Sequence, residues 1–269
     1  MLNASGGVGI NLRLEFIDEI LEKKPKIDFL EIIADNWLSV GPHHKKLAAL
    51  RKDYEISFHC VGMNLAGSDE LSRDYLNEIK SLIQQYSPFQ VSDHLSVQKY
   101  RGVCFHDLLP HPFNNKSLIN MSERISYIQD FLGTEILVEN LSYYHQFESS
   151  DRSEASFINE LANLTGCSVL LDLNNIWVNE MNFGLSTKDF LDELNLDVVK
   201  EVHVAGAEKK GELFIDTHGS DIHPEVLNIL AGLRKHLGGL PIVYERDNNL
   251  PDFSKILEQR NLIVEVLNG

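Results

Sequence analysis

Residues Ser168–Asn179 read SVLLDLNNIWVN. Val169, Leu170 and Leu171 form a short apolar run that ends in Asp172, and Asn175 follows three residues later. A buried strand ends in a charge for one of two reasons. Either the side chain caps or turns the chain, or something at that point uses the charge. Alone, this run does not choose between them, but it has counterparts. Ile56-Ser57-Phe58 leads into His59, Phe89-Gln90-Val91-Ser92-Asp93 into His94, and Ile136-Leu137-Val138 into Glu139. Val199-Lys200-Glu201-Val202 leads into His203, and Pro241-Ile242-Val243-Tyr244 into Glu245. His, Cys and Asp plus Glu number 11, 3 and 40 of 269 residues, so one such ending is cheap. Six in succession, all at the downstream end, form a pattern.

Working outward, eight segments read as strands: Val8–Leu12, Phe29–Ala34, Ile56–Val61, Phe89–His94, Ile136–Asn140, Val169–Leu173, Glu201–Val204 and Ile242–Glu245. Helical periodicity falls between them at Leu14–Lys23, Leu71–Tyr86, Leu118–Leu132, Phe157–Leu164, Leu227–Leu237 and Leu257–Val266. Strand–helix alternation of this kind implies a parallel sheet, and at this length the expected closure is an α/β fold of the (β/α)8, TIM-like type. Residues 1–269 are expected to form one such domain, since no linker or composition shift divides them. A doubly wound open sheet is the alternative, but no GxGxxG follows the first strand. In a barrel the strand C-termini form the active face, so the six polar endings would converge on one mouth. Val97–Asn114 is the longest interruption and is expected to be a lid or contact loop. Its His106 and His111 read as loop residues rather than ligands. His43, His44, His145, His223 and His236 lie outside the strand ends and read as surface or capping residues.

The net charge of −16 argues against a nucleic-acid partner, which would need a basic face. Cys60, Cys104 and Cys167 are too widely spaced for a zinc ribbon or a CxxC pair. None is expected to be catalytic, and Cys60 should point to the face opposite His59. No signal-peptide pattern and no membrane-length apolar run is evident, which suggests a soluble, cytoplasmic protein.

Nine residues group by this geometry as potential metal ligands. His59, His94 and Glu139 suit one ion. Glu139, Asp172, His203 and Glu245 suit a second, with Glu139 bridging. Asn175, Asp216 and His218 suit a third, the last two through a DxH element whose first and third residues share a side in extended chain. Nitrogen and oxygen donors without thiolate fit iron, manganese or zinc.

These residues sit in segments that resemble one family. SFHCVGMNL (Ser57–Leu65), SDHLS (Ser92–Ser96), VENLSYY (Val138–Tyr144), LDLNNIWVN (Leu171–Asn179), VHVAGA (Val202–Ala207), DTHGS (Asp216–Ser220) and YERDNNLP (Tyr244–Pro251) resemble the multinuclear non-haem iron-dependent oxidative enzymes. The likeness runs from Gly7-Val8-Gly9 to the last helix, and LDxNNxxVN with DTHGS is its most diagnostic pair. The family is a TIM-like barrel related to xylose isomerase and endonuclease IV that modifies ribosomally made precursor peptides. YERDNNLP and SDHLS are most similar to the branch that makes methanobactin. The resemblance implies two or three irons of mixed ferrous and ferric state on His59, His94, Glu139, Asp172, Asn175, His203, Asp216, His218 and Glu245, with O2 as co-substrate. It further implies a proton-handling role for Asp247, a cysteine-bearing precursor peptide as substrate, and an MbnC-like partner protein forming a heterodimer. The implied product is an oxazolone with an adjacent thioamide. One departure is VHVAGA, where relatives often read HLAGH, so that Ala207 removes a histidine. A trinuclear metal phosphoesterase of the endonuclease IV type, a sugar isomerase and a non-enzymatic peptide-binding module are the competing readings. Acidic composition counts against the first acting on DNA.

Overall fold

The computed structural model describes residues 6–39 and 41–269, with the side chain of His106 outside the described set. Its strands are β1 (Gly7–Asn11), β2 (Phe29–Ile33), β3 (Glu55–His59), β4 (Val91–His94), β5 (Val97–Tyr100), β6 (Val103–Leu109), β7 (Leu137–Glu139), β8 (Ser168–Asp172), β9 (Val199–Val204), β10 (Glu208–Lys210), β11 (Leu213–Ile215) and β12 (Pro241–Tyr244). Its α-helices are α1 (Ile17–Lys23), α2 (His43–Leu50), α3 (Arg73–Tyr86), α4 (Asn115–Leu132), α5 (Glu154–Thr165), α6 (Leu173–Phe183), α7 (Thr187–Glu193), α8 (Pro224–Leu233) and α9 (Phe253–Asn268). Eight strands close a parallel barrel in the order β1-β2-β3-β4-β7-β8-β9-β12. They coincide with the eight segments read from sequence to within a few residues, and the (β/α)8 expectation holds.

The strands form because their Val, Ile, Leu and Phe residues are buried on both faces, against the barrel interior and the helix ring. Helix limits follow local chemistry. Ser72, Asn114, Ser153 and Ser186 each accept a backbone N–H two or three residues into the helix they precede, and Gly133, Gly166 and Gly184 stop helices in the left-handed conformation. Closure joins Gly7–Ile10 of β1 to Pro241–Tyr244 of β12. From α9, Arg260 Nε donates to the Val8 carbonyl at 2.9 Å and its guanidinium holds Asp28 at 2.5 Å, latching the last helix across that seam.

Three features depart from the sequence reading. Helices α2, α6 and α7 were not expected. The expected loop after β4 is a two-stranded antiparallel hairpin, β5–β6, and a second hairpin, β10–β11, follows β9. Among the described residues no helix is long and apolar enough to cross a membrane. Cys60 and Cys167 are buried and Cys104 exposed, all three as free thiols.

Glu154 opens α5 while buried, and burial pushes its carboxyl up to about 8. The folded chain keeps that proton to a higher pH than the unfolded chain, so stability falls as pH rises from the ordinary carboxyl range (about 4.3) towards that value. Glu154→Gln is therefore expected to raise Tm by several degrees at about pH 9 and to change it little at about pH 5. Differential scanning fluorimetry at the two pH values checks this.

Candidate metal centre

Strand register brings the polar endings together. His94 lies beside Glu139 across β4 and β7, and Asp172 lies beside His203 across β8 and β9. The result is a set of overlapping clusters, each able to offer atoms within 4.8 Å of one another: His59–His94–Glu139, Glu139–Asp172–His203, Asp172–His218–Glu245 and Glu31–His203–Glu245. Glu139 belongs to two of them. Except for His218, which is partly exposed, all these residues are buried.

Each imidazole is oriented from behind. Ser92 Oγ donates to the Phe58 carbonyl and lies 2.8 Å from His59 Nδ1. With the Ser92 proton so committed, Nδ1–H of His59 is the donor and Nε2 keeps its lone pair. That Nε2 is 3.2 Å from His94 Nε2 and 3.4 Å from Glu139 Oε2, and His94 Nε2 is 3.2 Å from the same oxygen. His203 Nε2 lies 2.9 Å from Glu31 Oε2. Its Nδ1 then faces Glu245 Oε2 at 2.9 Å and Glu139 Oε1 at 3.7 Å. His218 Nε2 is 2.7 Å from Asp216 Oδ1, and its Nδ1 is 3.3 Å from both Glu245 and Asp247.

Many of these approaches are close without being hydrogen bonds. Glu139 Oε2, Asp172 Oδ2, Asn175 Oδ1, His203 Nδ1, His218 Nε2 and Glu245 Oε2 are buried atoms with no hydrogen-bond partner. Buried polar atoms are almost always paired, so these unpaired atoms in and beside the clusters mark positions that a cation would satisfy. The residues fit a metal on that ground, and the buried clusters can hold metal ions.

Asp172 resolves the ambiguity of its own sequence. Oδ1 caps α6, accepting the Asn175 N–H at 2.5 Å, while Oδ2 is left facing the cluster. Both readings of a strand-ending carboxylate hold, one on each oxygen. The asparagines around it lock the neighbouring loop. Asn140 exchanges hydrogen bonds with the Asp172 backbone at 2.9 and 3.0 Å, Asn175 Nδ2 donates to the Asn140 carbonyl, and Asn179 brackets Leu141 and Tyr143. Asn175 thereby turns its free Oδ1 inward.

The DxH element also converges, although not through extended chain: His218 has φ of 47°. Asp216 faces His218 and takes Asn174 Nδ2 at 2.7 Å, while His218 also groups with Asp172 and Glu245. Asp247 is held by Asn11 Nδ2 and Arg13 Nη1, each at 2.8 Å, at the edge of the same cavity. His111 is buried beside Phe113 and Phe157, away from the clusters. His223 stacks on Trp177 and its Nε2 lies 2.8 Å from the Ala207 carbonyl.

Glu31 and Glu201 escaped the sequence reading because they sit inside strands rather than at their ends. The available signal was a lone carboxylate in an apolar run, Phe29-Leu30-Glu31-Ile32-Ile33. Both are buried in the barrel interior, and burial raises both carboxyls above the ordinary range. Burial likewise pushes Glu139 up to about 7. For His94, burial acts downward, but Glu139 and Asp93 together hold it up at about 9. Burial and the neighbouring His94 and His203 push His59 down.

Above the clusters opens a cavity of about 760 Å³, bordered by Glu139, Asp216, His218, Glu245, Asp247 and the β5–β6 hairpin. The loop bearing Asp216 and His218 is set by a close approach at Gly206, where a Cβ would come within 2.3 Å of the Asp221 carbonyl.

Comparison with known proteins places these residues in context. Residues 7–268 match the family described as RiPP precursor modification enzyme MbnB/TglH/ChrH, RiPPs being ribosomally made, post-translationally modified peptides. A UPF0276 protein of Acaryochloris marina is 37% identical over 258 residues, covering 96% of this chain and 94% of its own. Another from Paraburkholderia phytofirmans is 37% identical over 254 residues, covering 92% and 83%. Among solved structures, a D-psicose 3-epimerase superposes with a TM-score of 0.62 at 16% identity, covering 97% of this chain and 99% of that one. Endonuclease IV from Thermus thermophilus gives 0.62 at 14%, covering 96% and 98%. These two show the shared barrel.

Removing Glu139 strips both of its clusters of a donor, whereas Asn175 contributes one oxygen. Glu139→Gln is expected to lower bound metal per chain more than Asn175→Ala, and elemental analysis of the two variants measures the difference. Gly206→Ala is expected to lower metal content as well, by displacing the loop that carries Asp216 and His218.

Proposed function

The chain belongs to the MbnB/TglH/ChrH family of RiPP precursor modification enzymes, and from that premise we propose that it oxidises a cysteine of a ribosomally made precursor peptide, using iron and O2. The observation that carries this reading is the set of overlapping His/carboxylate clusters with unpaired buried nitrogen and oxygen atoms beneath an open cavity. His59, His94, Glu139, Asp172, Asn175, His203, Asp216, His218 and Glu245 are the proposed ligands, in two or three sites. The clusters contain His and carboxylate and no Cys, a donor set that suits non-haem iron with open positions. When bound, iron supplies the redox chemistry with O2 as electron acceptor.

The protein's own residues hold, shield and move protons. Glu31 and Ser92 orient His203 and His59, so that their free nitrogens point at the clusters. The barrel wall beneath the mouth keeps water from that side. Asp247, at the cavity edge and fixed by Asn11 and Arg13, is the proposed proton acceptor. Its Oδ2 stands 3.3 Å from His218 Nδ1.

Likeness of YERDNNLP and SDHLS to the methanobactin branch selects the product, an oxazolone with a neighbouring thioamide. That conversion removes four hydrogens from the peptide, about 4 Da, and O2 takes them up as two waters. An MbnC-like partner in a heterodimer is part of the same proposal.

The test is mass spectrometry of the cysteine-bearing precursor after incubation with iron-loaded protein, the partner and air. A loss of about 4 Da is expected. Unchanged peptide together with phosphodiester cleavage or sugar isomerisation by the same preparation would replace this reading. Asp247→Asn is expected to cut turnover at least tenfold while iron content stays near that of the parent. Replacing Cys60, Cys104 or Cys167 singly by Ser is expected to leave turnover within about threefold, because none of the three belongs to the clusters.

A further inference from the structure

The β5–β6 hairpin borders the mouth, its ladder bulged between Val97 and Lys99. Arg101 and Gly102, with φ of 50° and 79°, make its two-residue turn. The Asp69 carboxylate accepts both of their N–H groups at 2.8 Å and fixes the tip. At its base Asn64 covers the outer edge of β5. Its Oδ1 accepts from Gln98 N–H at 2.8 Å and Lys99 N–H at 3.1 Å, and its Nδ2 donates to the Lys99 carbonyl. The outer edge of β6 has no such cover: among the described residues β6 pairs with β5 alone. An uncovered strand edge is a row of free backbone donors and acceptors.

That strand borders the metal cavity. Phe105, Asp107, Leu108 and Leu109 of β6 line it. From β5, Gln98 lines the same cavity. Its side chain is more than nine-tenths buried, and neither Oε1 nor Nε2 has a partner. Leaving both ends of a buried amide unpaired is costly. One donor and one acceptor in a plane match one peptide unit.

We propose that the free edge of β6 and the Gln98 amide hold the backbone of an extended peptide across the mouth, with its reacting residue above the His/carboxylate clusters. The inference rests on the peptide-modifying reading and adds how the peptide is held. Main-chain pairing supplies affinity largely independent of side chains, and the anchored hairpin presents its edge already ordered. A folded partner protein seated on exposed Val103 and Phe105 is the competing occupant. The Gln98 amide favours the peptide, because its buried, unpaired donor and acceptor border the cavity that Glu139, His218 and Glu245 also line.

The test uses a synthetic cysteine-bearing peptide of methanobactin-precursor type, made as a series with one backbone N-methyl group walked through the residues flanking the cysteine. Affinity for metal-loaded protein is read by fluorescence anisotropy, and conversion by mass spectrometry. Methylation is expected to weaken binding about fivefold or more at alternate residues only, since a strand turns every second N–H towards its neighbour. Gln98→Leu is expected to weaken the unmodified peptide by a similar factor, with metal content and Tm unchanged. No binding, or losses without a two-residue period, would overturn the proposal. A peptide that binds with the period but keeps its mass refutes the oxidation and leaves the docking intact. One oxidised without the period does the reverse.

Discussion

Carboxylates crowd the inside of this barrel. Glu31, Glu139, Asp172, Glu201 and Glu245 are all buried there, and the imidazoles between them have their nitrogens directed at the same few positions. Like charges a few ångströms apart in a low-dielectric interior repel strongly. The arginines of the region are committed elsewhere: Arg13 to Asp247, and Arg246 to Asp221 and to the carbonyls of Asn248 and Asn249. Positive charge has to enter the cluster from outside, as protons or as metal. Burial first, and the neighbouring carboxylates second, push Glu139, Glu31 and Asp172 up, which is the protonic answer, and the open donor atoms are what the metallic one requires.

The surrounding structure works to keep that arrangement from relaxing. A carboxylate free to rotate would turn outward to water. Asp172 is prevented because one oxygen is tied to the start of α6. His59 and His203 are held through their rear nitrogens, and the loop after β7 is stitched to α6 by three asparagines. Preorganisation here comes from hydrogen bonds one layer behind the cluster, which explains why asparagine is so frequent in LDLNNIWVN.

Sequence alone revealed the barrel because each strand is a short apolar run closed by a polar residue, a period that survives without neighbours. It revealed the strand-end residues for the same reason. Glu31 and Glu201 were hidden, since mid-strand carboxylates resemble solvent-facing residues of a half-exposed strand until the barrel is closed. Helix α6 carries no helical signal because its first seven residues, Leu173–Asn179, are buried all round, so no exposed polar face marks its turn. The β5–β6 hairpin was read as loop, its register being set by Asn64 and Asp69 from a distant segment. DxH geometry was misread in detail because a left-handed residue at His218 breaks the alternation that the argument assumed.

Closure of β1 against β12, with Arg260 reaching back to Val8 and Asp28, has a bearing on how the protein is made. Synthesis runs from the N-terminus. The His59–His94–Glu139 corner comes from adjacent strands and is complete in sequence by residue 139, about halfway along the chain. Every other cluster awaits His203 or Glu245, and Glu245 takes its place only after the final strand has found the first. Such distant pairings form late. The corner is thus the natural first port for an ion, and the filled centre as a whole is a certificate that the ribosome finished and the barrel shut.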